Sequence, residues 1–442
     1  MAVVLKFGGT SVGTFDAVSR TMEIIASRLP EHPVVCVSAL SKVTDLLYAI
    51  ADAASCGDAE GLEARMYELR SRHLKLVCSL FSADPEGCDR ASSKVNEICD
   101  TLAAVVSSVT ALGDVPDRIR AVIISHGELL SSTIICLALN SRGIRTGFVD
   151  ARTMIVTDSE YMCGEPQFDI INERVPEVVG EAFARGTAFI SDGKAADGRS
   201  NEVVITQGFI AANRQGAGTV LGRGGSDWSA SIIASALDAS RVEIWTDVDG
   251  MRTTDPRVCP ETCRIPRISY EEAAQMARFG AKVLHPKTIA PAVARNIPVL
   301  VLNSSNPSCE GTAVVPEEAP DGPRGIAFKR NVYLVRFSPK AEGDFMWCLE
   351  ESRIEPDMVT SAGRQMMVTV DFSHNIGGFI RLVAGKTDIL LKTGYSQLTV
   401  IGRGLLSLVP KLEDAVPQLR KNFGKMLNDS NISYIVAADR LE

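Results

Sequence analysis

The chain has 442 residues, of which 45% are hydrophobic and 6% aromatic, so it is long enough for two or three globular domains. Its formal net charge of -8 argues against a nucleic-acid-binding protein, because such proteins usually present a basic surface. The 11 cysteines lie singly in apolar stretches and the histidines are dispersed, so we expect no disulfide framework and no structural metal. The first apolar run is too short to be a signal peptide or a membrane span, which predicts a cytoplasmic protein with no membrane partner.

The first apolar run leads into a glycine loop, KFGGTSVG, at residues 6–13. Residues 3–5 predict a strand, Gly8 and Gly9 let backbone amides approach an anion, and Lys6 adds a full positive charge. The lysine precedes the glycines, the reverse of the Walker-type order, and the loop is not the G-x-G-x-x-G fingerprint of nicotinamide enzymes. The loop therefore predicts a phosphate-binding turn of another class, unless it is an ordinary strand-to-helix turn.

Apolar runs that recur along the chain predict an α/β fold, with a parallel or mixed sheet covered by helices on both faces. The predicted strands are residues 34–37, 121–124, 187–190, 203–205 and 242–245. Apolar residues spaced by charges at about 60–110 predict a helical excursion between strands, and the run 228–237 predicts another helix.

The composition changes at residues 306–325, where proline, glutamate and glycine predict a linker. Beyond it we expect strands at residues 332–337, 366–372, 398–401 and 433–436, with a helix at 411–427 between the last two. This pattern is typical of a small ferredoxin-like α+β unit. The sequence thus predicts domains at residues 1–305 and 326–442.

A second glycine cluster, GRGGSD at residues 222–227, opens the predicted helix that follows it. Arg223 suits bidentate capture of a carboxylate, and Ser226 or Asp227 can cap the helix. A flexible turn with a capped helix would explain the serine and the aspartate, but it would not explain an arginine among three glycines.

Polar residues 246–257 directly follow a predicted strand, and ligands of α/β sheets bind at the carboxyl ends of strands. An Asx-rich turn would account for Asp249 and Asp255 individually. Farther on, Lys282 begins the segment KVLHP, where a lone lysine would usually be a solvated surface charge.

Five segments in order, KFGGTSVG, GRGGSD, WTDVDG, TTDPR and KVLHP, span residues 6–286 and closely resemble those of the aspartokinases in the amino acid kinase superfamily. The resemblance implies an amino acid kinase-like sheet between helices, followed by a smaller ferredoxin-like, ACT-like regulatory domain. It implies ATP-dependent phosphorylation of the β-carboxylate of L-aspartate to 4-phospho-L-aspartate, the first step toward lysine through diaminopimelate, threonine and methionine. The length leaves no room for a fused homoserine dehydrogenase, so we expect a monofunctional enzyme.

The resemblance also implies residue roles. Lys6 would contact the transferring phosphoryl group, Asp227 would orient Lys6, and Lys282 would complete the catalytic set. The ATP site would comprise Lys6, Gly8, Gly9, Thr10, Thr246, Asp247, Arg252, Arg257, Lys282 and Val283. The aspartate site would comprise Thr44, Glu128, Arg223, Gly224, Gly225 and Ser226, with Arg223 on the α-carboxylate and Glu128 on the ammonium group. Mg²⁺ would bridge the phosphates, although no residue stands out as its ligand.

Two departures from the family pattern bear on nucleotide binding and regulation. Arg252 stands where the family commonly has a tyrosine, which removes an aromatic contact. The final strand and helix of the paired ACT modules are expected to be missing, so the regulatory domain would be truncated. Domain order suggests lysine as an effector, and exposed strand edges suggest a homodimer.

Two alternatives remain open from the sequence. An acyl-phosphate-forming kinase acting on glutamate or acetylglutamate would have similar phosphate-binding motifs, although WTDVDG, TTDPR and KVLHP favour aspartate. A catalytically inactive amino-acid sensor would bind amino acid without turning over ATP, and intact Lys6, Arg223, Asp227 and Lys282 argue against it. A carboxylate nucleophile is ionised at neutral pH and needs no general base, which suits a site of lysine, arginine and glycine amides.

Overall fold

The computed structural model describes residues 2–110, 113–184, 200–281, 284–317, 320–337, 342–352, 354, 356–362, 365–370, 376–384, 386 and 389–440. The chain divides into two compact units, Met1–Gly250 with Lys287–Pro316, and Met251–Pro286 with Glu317–Glu442. These units differ from the domains expected from the sequence chiefly because residues 251–286 fall in the second unit. The functional division at residues 306–325 stays a prediction.

The first unit contains a sheet of short buried strands and a small second sheet. In chain order its strands are β1 Val4–Phe7, β2 Val34–Val37, β3 Thr146–Val149, β4 Val156–Thr157, β5 Val203–Gln207, β6 Ile210–Asn213, β7 Gly218–Val220, β8 Val242–Thr246, β10 Val299–Asn303 and β11 Thr312–Val315. The strands of the main sheet lie in the order β3-β5-β2-β1-β8-β10-β11, and only β11 is antiparallel to its neighbour. The carboxyl ends of the parallel strands therefore meet at one edge of the sheet, where ligands of such folds bind. The predicted strands at residues 34–37, 203–205 and 242–245 are confirmed.

Helices make up most of the rest of the first unit. They are α1 Gly9–Val12, α2 Phe15–Arg28, α3 Val43–Cys56, α4 Ala59–Leu80, α5 Pro85–Thr110, α6 Asp117–Ser141, α7 Phe168–Ala184, α8 Gly225–Leu237 and α10 Pro286–Ala294, with short 3-10 turns at Leu29–Glu31 and Ala151–Thr153. The predicted helical excursion is confirmed by α4 and α5, and the predicted helix at 228–237 by α8.

The predicted strand at residues 121–124 is wrong, because these residues lie inside α6. This helix is long and apolar enough to cross a membrane, but 89% of its apolar window is buried inside the fold, which is typical of a core helix. A short apolar run in a helix buried on all sides cannot be distinguished by hydropathy from a buried strand. The predicted strand at residues 187–190 lies outside the described residues.

The second unit is built on an antiparallel sheet in the order β13-β14-β12-β15-β17-β16. The strands of this sheet are β12 Gly322–Phe337, β13 Met358–Ala362, β14 Gln365–Val370, β15 Ile389–Arg403, β16 Gly424–Leu427 and β17 Asn431–Ala437, and the unit also contains β9 Arg267–Ser269, which is not part of it. Its helices are α9 Tyr270–Arg278, α11 Glu342–Glu351, α12 Ile376–Ala384 and α13 Val409–Ala415, with 3-10 turns at Leu405–Leu408, Pro417–Lys421 and Ala438–Arg440. The predicted strands at residues 332–337, 398–401 and 433–436 are confirmed, and so is the one at 366–372 as far as residue 370.

Two long strands, β12 and β15, divide this sheet into two halves, one of which has a ferredoxin-like order of elements. Beyond the bulge at residues 329–332, the second part of β12 joins β13, β14, α11, α12 and the start of β15 in βαββαβ order. In the other half, residues 322–329 pair with 397–403 and take the edge position beside β15, β17 and β16. Residues 322–325, the last four of the predicted linker, thus lie at a sheet edge.

The predicted helix at residues 411–427 is confirmed only as far as residue 415 and is wrong beyond it. Helix α13 ends at Ala415, a 3-10 turn begins at Pro417, and residues 424–427 form β16 instead. Pro417 cannot donate the backbone hydrogen bond that a continuing helix would need, so the helix ends before it. Leu419 still packs on β17 through Tyr434, which accounts for the helix-like apolar spacing.

Candidate active site

A lysine and an aspartate far apart in sequence meet at the carboxyl edge of the first unit's sheet. Lys6 lies on the central strand β1, between Cys36 of β2 and Ile244 of β8. Its Nζ lies 2.7 Å from Oδ1 of Asp227 in the first turn of α8, and the side chains are only 12% and 17% exposed. The structure thus brings together the two residues for which the resemblance implies a joint role.

The glycine loop after β1 is packed too closely for side chains. A Cβ at Gly9 would lie 2.9 Å from the carbonyl oxygen of Ala39, so a larger residue would push the loop off β2. The amide of Gly8 donates to the carbonyl of Trp245 at 3.2 Å, so it is already engaged within the protein. Gly9 and the exposed Thr10 begin α1, whose first amides have no partner within the helix and can face an anion.

The loop at residues 222–226, termed the arginine loop, depends on glycine geometry. Gly222 and Gly224 adopt left-handed φ values of 76° and 72°. Gly225 lies so close to the ring of Phe209 that a Cβ would come within 2.7 Å of it. Arg223, between Gly222 and Gly224, is exposed. Its guanidinium makes no hydrogen bond or ion pair with any described residue. An arginine with no internal partner on a closely packed loop is suited to bind a carboxylate from solution.

Glu128 is a buried carboxylate with half of its hydrogen-bonding capacity unused. The amide of Ala39 donates to Oε1 at 3.1 Å, whereas Oε2 is buried without a partner among the described residues. Burial raises the pKa of the Glu128 carboxyl to about 8, and the hydrogen bond from Ala39 opposes this only in part. Glu128 lies within α6, the same helix that contains residues 121–124, which were predicted as a strand. Such a carboxylate is suited to receive a cationic group.

Neighbouring side chains hold the part of α6 that carries Glu128. The hydroxyl of Ser131 donates to the carbonyl of Ser38 at 2.8 Å. Gln207, at the end of β5, donates to the hydroxyl of Ser132 at 3.0 Å. Thr44 stands half-buried in the first turn of α3, after the same β2 loop.

Sequence reasoning missed Arg72 of α4, which donates to the carbonyl of Ser41 at 2.8 Å and so connects the helical excursion to the β2 loop. It also missed Phe209, which has a left-handed φ of 67° and donates its amide to the hydroxyl of Ser229 at 2.9 Å. A left-handed aromatic residue is strained, and such strain often occurs at functional sites. The only available signal was its place just after β5.

Residues predicted to bind nucleotide are found in both units. Thr246 ends β8 and donates to Oδ1 of the exposed Asp247 at 3.2 Å. In the second unit, Arg252 donates to the hydroxyl and the carbonyl of Thr262. Arg257 pairs with Asp255 at 2.6 Å, and this hydrogen-bonded pairing raises the pKa of the Arg257 guanidinium. Lys282 and Val283 lie outside the described residues, so the predicted nucleotide contacts remain predictions.

Comparison with known proteins gives concordant matches. Residues 1–303 match the Amino acid kinase family. The chain is 35% identical over 380 residues to Lysine-sensitive aspartokinase 3 of Escherichia coli (strain K12), covering 84% of this chain and 78% of that protein. It is 32% identical over 316 residues to the chloroplastic bifunctional aspartokinase/homoserine dehydrogenase 1 of Zea mays, which covers 72% of this chain. The match covers 32% of that maize protein, so the chain spans about a third of its length.

The fold is also similar to solved structures along nearly its whole length. It matches E. coli aspartokinase III in complex with aspartate and ADP (R-state) with a TM-score of 0.81 and 27% identity, covering 99% of this chain and 97% of that chain. The complex of the same enzyme with lysine and aspartate (T-state) matches with a TM-score of 0.77 and 28% identity, covering 99% and 96%. The chain therefore belongs to the amino acid kinase family and, within it, to the aspartokinases.

Proposed function

We propose that the protein is an aspartate kinase that transfers the γ-phosphoryl group of ATP to the β-carboxylate of L-aspartate, forming 4-phospho-L-aspartate for lysine, threonine and methionine synthesis. The observation that carries the proposal is the buried Oε2 of Glu128, which has no donor among the described residues. An α-ammonium group would supply that donor, and Arg223 would bind the α-carboxylate. The aspartate and ADP named in the E. coli aspartokinase III complex support the same pair of ligands.

The reaction then depends on orientation and charge neutralisation. The β-carboxylate is ionised at neutral pH and attacks the γ-phosphorus directly, while ADP leaves with the electron pair of the broken P–O bond. Lys6 would stabilise the negative charge on the transferring group, because its ammonium is held in place by Asp227 at 2.7 Å. The glycine loop and the start of α1 would contact phosphate oxygens.

The remaining nucleotide contacts follow from the resemblance: Thr246, Asp247, Arg252, Arg257, Lys282 and Val283. Magnesium is a proposed participant, but the donor set does not fit an ion caged by protein. Within the described ranges, no three His, Cys, Asp or Glu side chains gather around a common point. A magnesium ion would arrive on the ATP phosphates, as such ions commonly do, and the steps above do not depend on it.

The first test is acyl-hydroxamate formation from ATP, magnesium and hydroxylamine, with L-aspartate, L-glutamate and acetylglutamate compared as acceptors. Product with aspartate alone is expected. Product only with another acid would keep the phosphoryl-transfer mechanism but refute the proposed acceptor. No product with any acid, together with measurable aspartate binding, would indicate an amino-acid sensor.

Regulation by lysine is a further part of the proposal. The relative from E. coli is named lysine-sensitive, and the T-state complex of aspartokinase III contains lysine. We expect millimolar lysine to lower the rate of hydroxamate formation. Unchanged activity in millimolar lysine or threonine would contradict this.

We also propose a cytoplasmic homodimer. In the second unit, β13 and β16 are the edge strands of the described sheet, and edges of this kind commonly pair between subunits. Sedimentation at several protein concentrations should give the mass of a dimer. A monomer at every concentration would contradict the proposal.

A further inference from the structure

The arginine loop is held between two separate segments of the first unit. On one side, a Cβ at Gly222 would lie 3.2 Å from Sγ of Cys163, which belongs to the connection between β4 and α7. On the other side, a Cβ at Gly224 would lie 2.8 Å from Cγ2 of Thr288 in α10. Two left-handed glycines give the loop little intrinsic stiffness, so these flanking segments determine where Arg223 stands.

Each flanking segment is itself fixed to the fold. The connection at residues 158–165 closes on itself, since the amide of Asp158 donates to the carbonyl of Glu165 at 3.1 Å. It also pairs with β7 through the amide of Gly164, which donates to the carbonyl of Val220 at 2.9 Å. Helix α10 is joined to α8 where the amide of Ala292 donates to Ser231 Oγ at 3.0 Å. The two flanking segments are therefore each held by the fold, so a single interaction between them can fix their separation.

One ion pair joins the two sides across the arginine loop. Nζ of Lys287 lies 2.8 Å from Oε2 of Glu165 and 4.6 Å from the ring centroid of Trp228. Trp228 is 4% exposed, and its amide donates to the carbonyl of Gly224 at 3.0 Å, so it lies at the base of the loop. The lysine and glutamate side chains are 51% and 57% exposed, and an ion pair this exposed contributes little to stability by itself. The contact with the indole ring adds a second, directional interaction.

We propose that Glu165, Lys287 and Trp228 form a clamp that positions Arg223 and thereby sets both the affinity for aspartate and the discrimination against glutamate. The inference rests on the proposed function. With the clamp closed, the guanidinium of Arg223 stands at a fixed distance from Glu128, so the α-carbon of the acceptor is fixed too. With the clamp open, the loop can retreat, and an acid longer by one methylene can bring its distal carboxylate to the phosphoryl group.

The test is Lys287→Met in the full-length protein, because methionine keeps an apolar stem over Trp228 and removes the charge. We expect the KM for aspartate to rise about fivefold, with kcat and the KM for ATP within about twofold of wild type. The ratio of kcat/KM for glutamate to that for aspartate should rise. Glu165→Gln should have the same effect, and the double variant should be no worse than either single one.

The matched control is Lys94→Met, which breaks the Lys94–Glu97 pair of α5 at the same 2.8 Å separation, with side chains 42% and 65% exposed. It should leave every kinetic constant unchanged. A KM for aspartate within twofold of wild type in both clamp variants would overturn the inference. Additive effects in the double variant, or a fall in kcat matching the rise in KM, would also overturn it. Failure of the wild type to phosphorylate aspartate would instead refute the proposed function.

Discussion

A nearly buried lysine–aspartate pair is found among the described residues of each unit, and the two pairs have different surroundings. Lys6 and Asp227 of the first unit are 2.7 Å apart, with side chains 12% and 17% exposed. Lys329 and Asp357 of the second unit are 2.5 Å apart, with side chains 13% and 6% exposed. Burial and separation alone would therefore not distinguish a catalytic pair from a structural one.

The surroundings distinguish them. Lys6 stands at the carboxyl ends of parallel strands, in a unit where, among the described residues, Arg223 has no partner and Oε2 of Glu128 has no donor. Lys329 lies in an antiparallel strand in register with Gln397, and the amide of Asp357 donates to the carbonyl of Thr369. Ligands of α/β folds bind at the carboxyl ends of parallel strands, so the place of the first pair in its sheet indicates a ligand site, whereas the second pair lies within an antiparallel sheet.

The largest expected effect is that of Lys6→Ala. We expect kcat for aspartate phosphorylation to fall by at least about 1000-fold, because the ammonium charge is needed chiefly in the transition state. The measurement is hydroxamate formation, with circular dichroism to verify folding. Unfolding of the variant, or a near-normal rate from it, would show that the role is misassigned.

The other pair supplies the matched control. Lys329→Ala removes the ion pair at 2.5 Å with Asp357, whose side chain is 6% exposed. We expect a loss of roughly 3–5 kcal/mol in the free energy of unfolding, measured by denaturant titration, and an unchanged kcat in the folded fraction. A large fall in kcat would mean that the comparison between the pairs does not hold.

A smaller but still large effect is expected for Glu128→Gln. The amide oxygen can still accept from Ala39, but the charge that would bind the α-ammonium group is lost. The KM for aspartate should rise about 100-fold, while the KM for ATP stays near wild type. An equal rise in both constants would indicate a general distortion of α6.

The raised pKa of Glu128 predicts that the KM for aspartate depends on pH. Because burial raises the pKa of its carboxyl to about 8, the free enzyme should be mainly protonated there at neutral pH. Aspartate binding needs the carboxylate, so the KM for aspartate should rise by up to tenfold per unit as pH falls below about 8. The Glu128→Gln variant should lose this dependence. A KM for aspartate that stays constant with pH in the wild type would contradict the raised pKa of the buried Glu128 carboxyl.

The raised pKa of Glu128 also makes the free energy of unfolding depend on pH. A carboxyl whose pKa is higher in the folded state than in the unfolded state favours folding at low pH. Its contribution is fully present below the ordinary carboxyl pKa of 4.5 and is lost as pH rises through about 8. Glu128→Gln should therefore gain stability relative to wild type between pH 6 and pH 9, as thermal unfolding would measure. No relative gain would contradict the raised pKa.

Local constraints made part of this molecule predictable from its sequence. Gly9 and Gly224 lie where a Cβ would collide with neighbours, so the glycine loops recognised in the sequence have a steric cause. Tertiary context was not predictable in the same way. Residues 121–124 resemble a strand because α6 is buried all round, and the sheet edge at residues 322–329 follows from pairing with β15. The Glu165–Lys287 pair joins surface charges 122 positions apart, which no local pattern indicates.

The smallest expected effect belongs to the second unit's buried polar network. Oγ1 of Thr399 lies 2.8 Å from Oγ of Ser433 and accepts from Nε2 of Gln397 at 3.4 Å, and all three residues are fully buried. Thr399→Val keeps the shape but leaves two polar groups unsatisfied, so we expect a loss of about 1–3 kcal/mol in unfolding free energy and no change in kcat or KM. Thr399→Ser, which keeps the hydroxyl and loses a methyl group, separates hydrogen bonding from packing. If Thr399→Ser lost stability and Thr399→Val did not, packing and not hydrogen bonding would be responsible, and the role proposed for this network would be wrong.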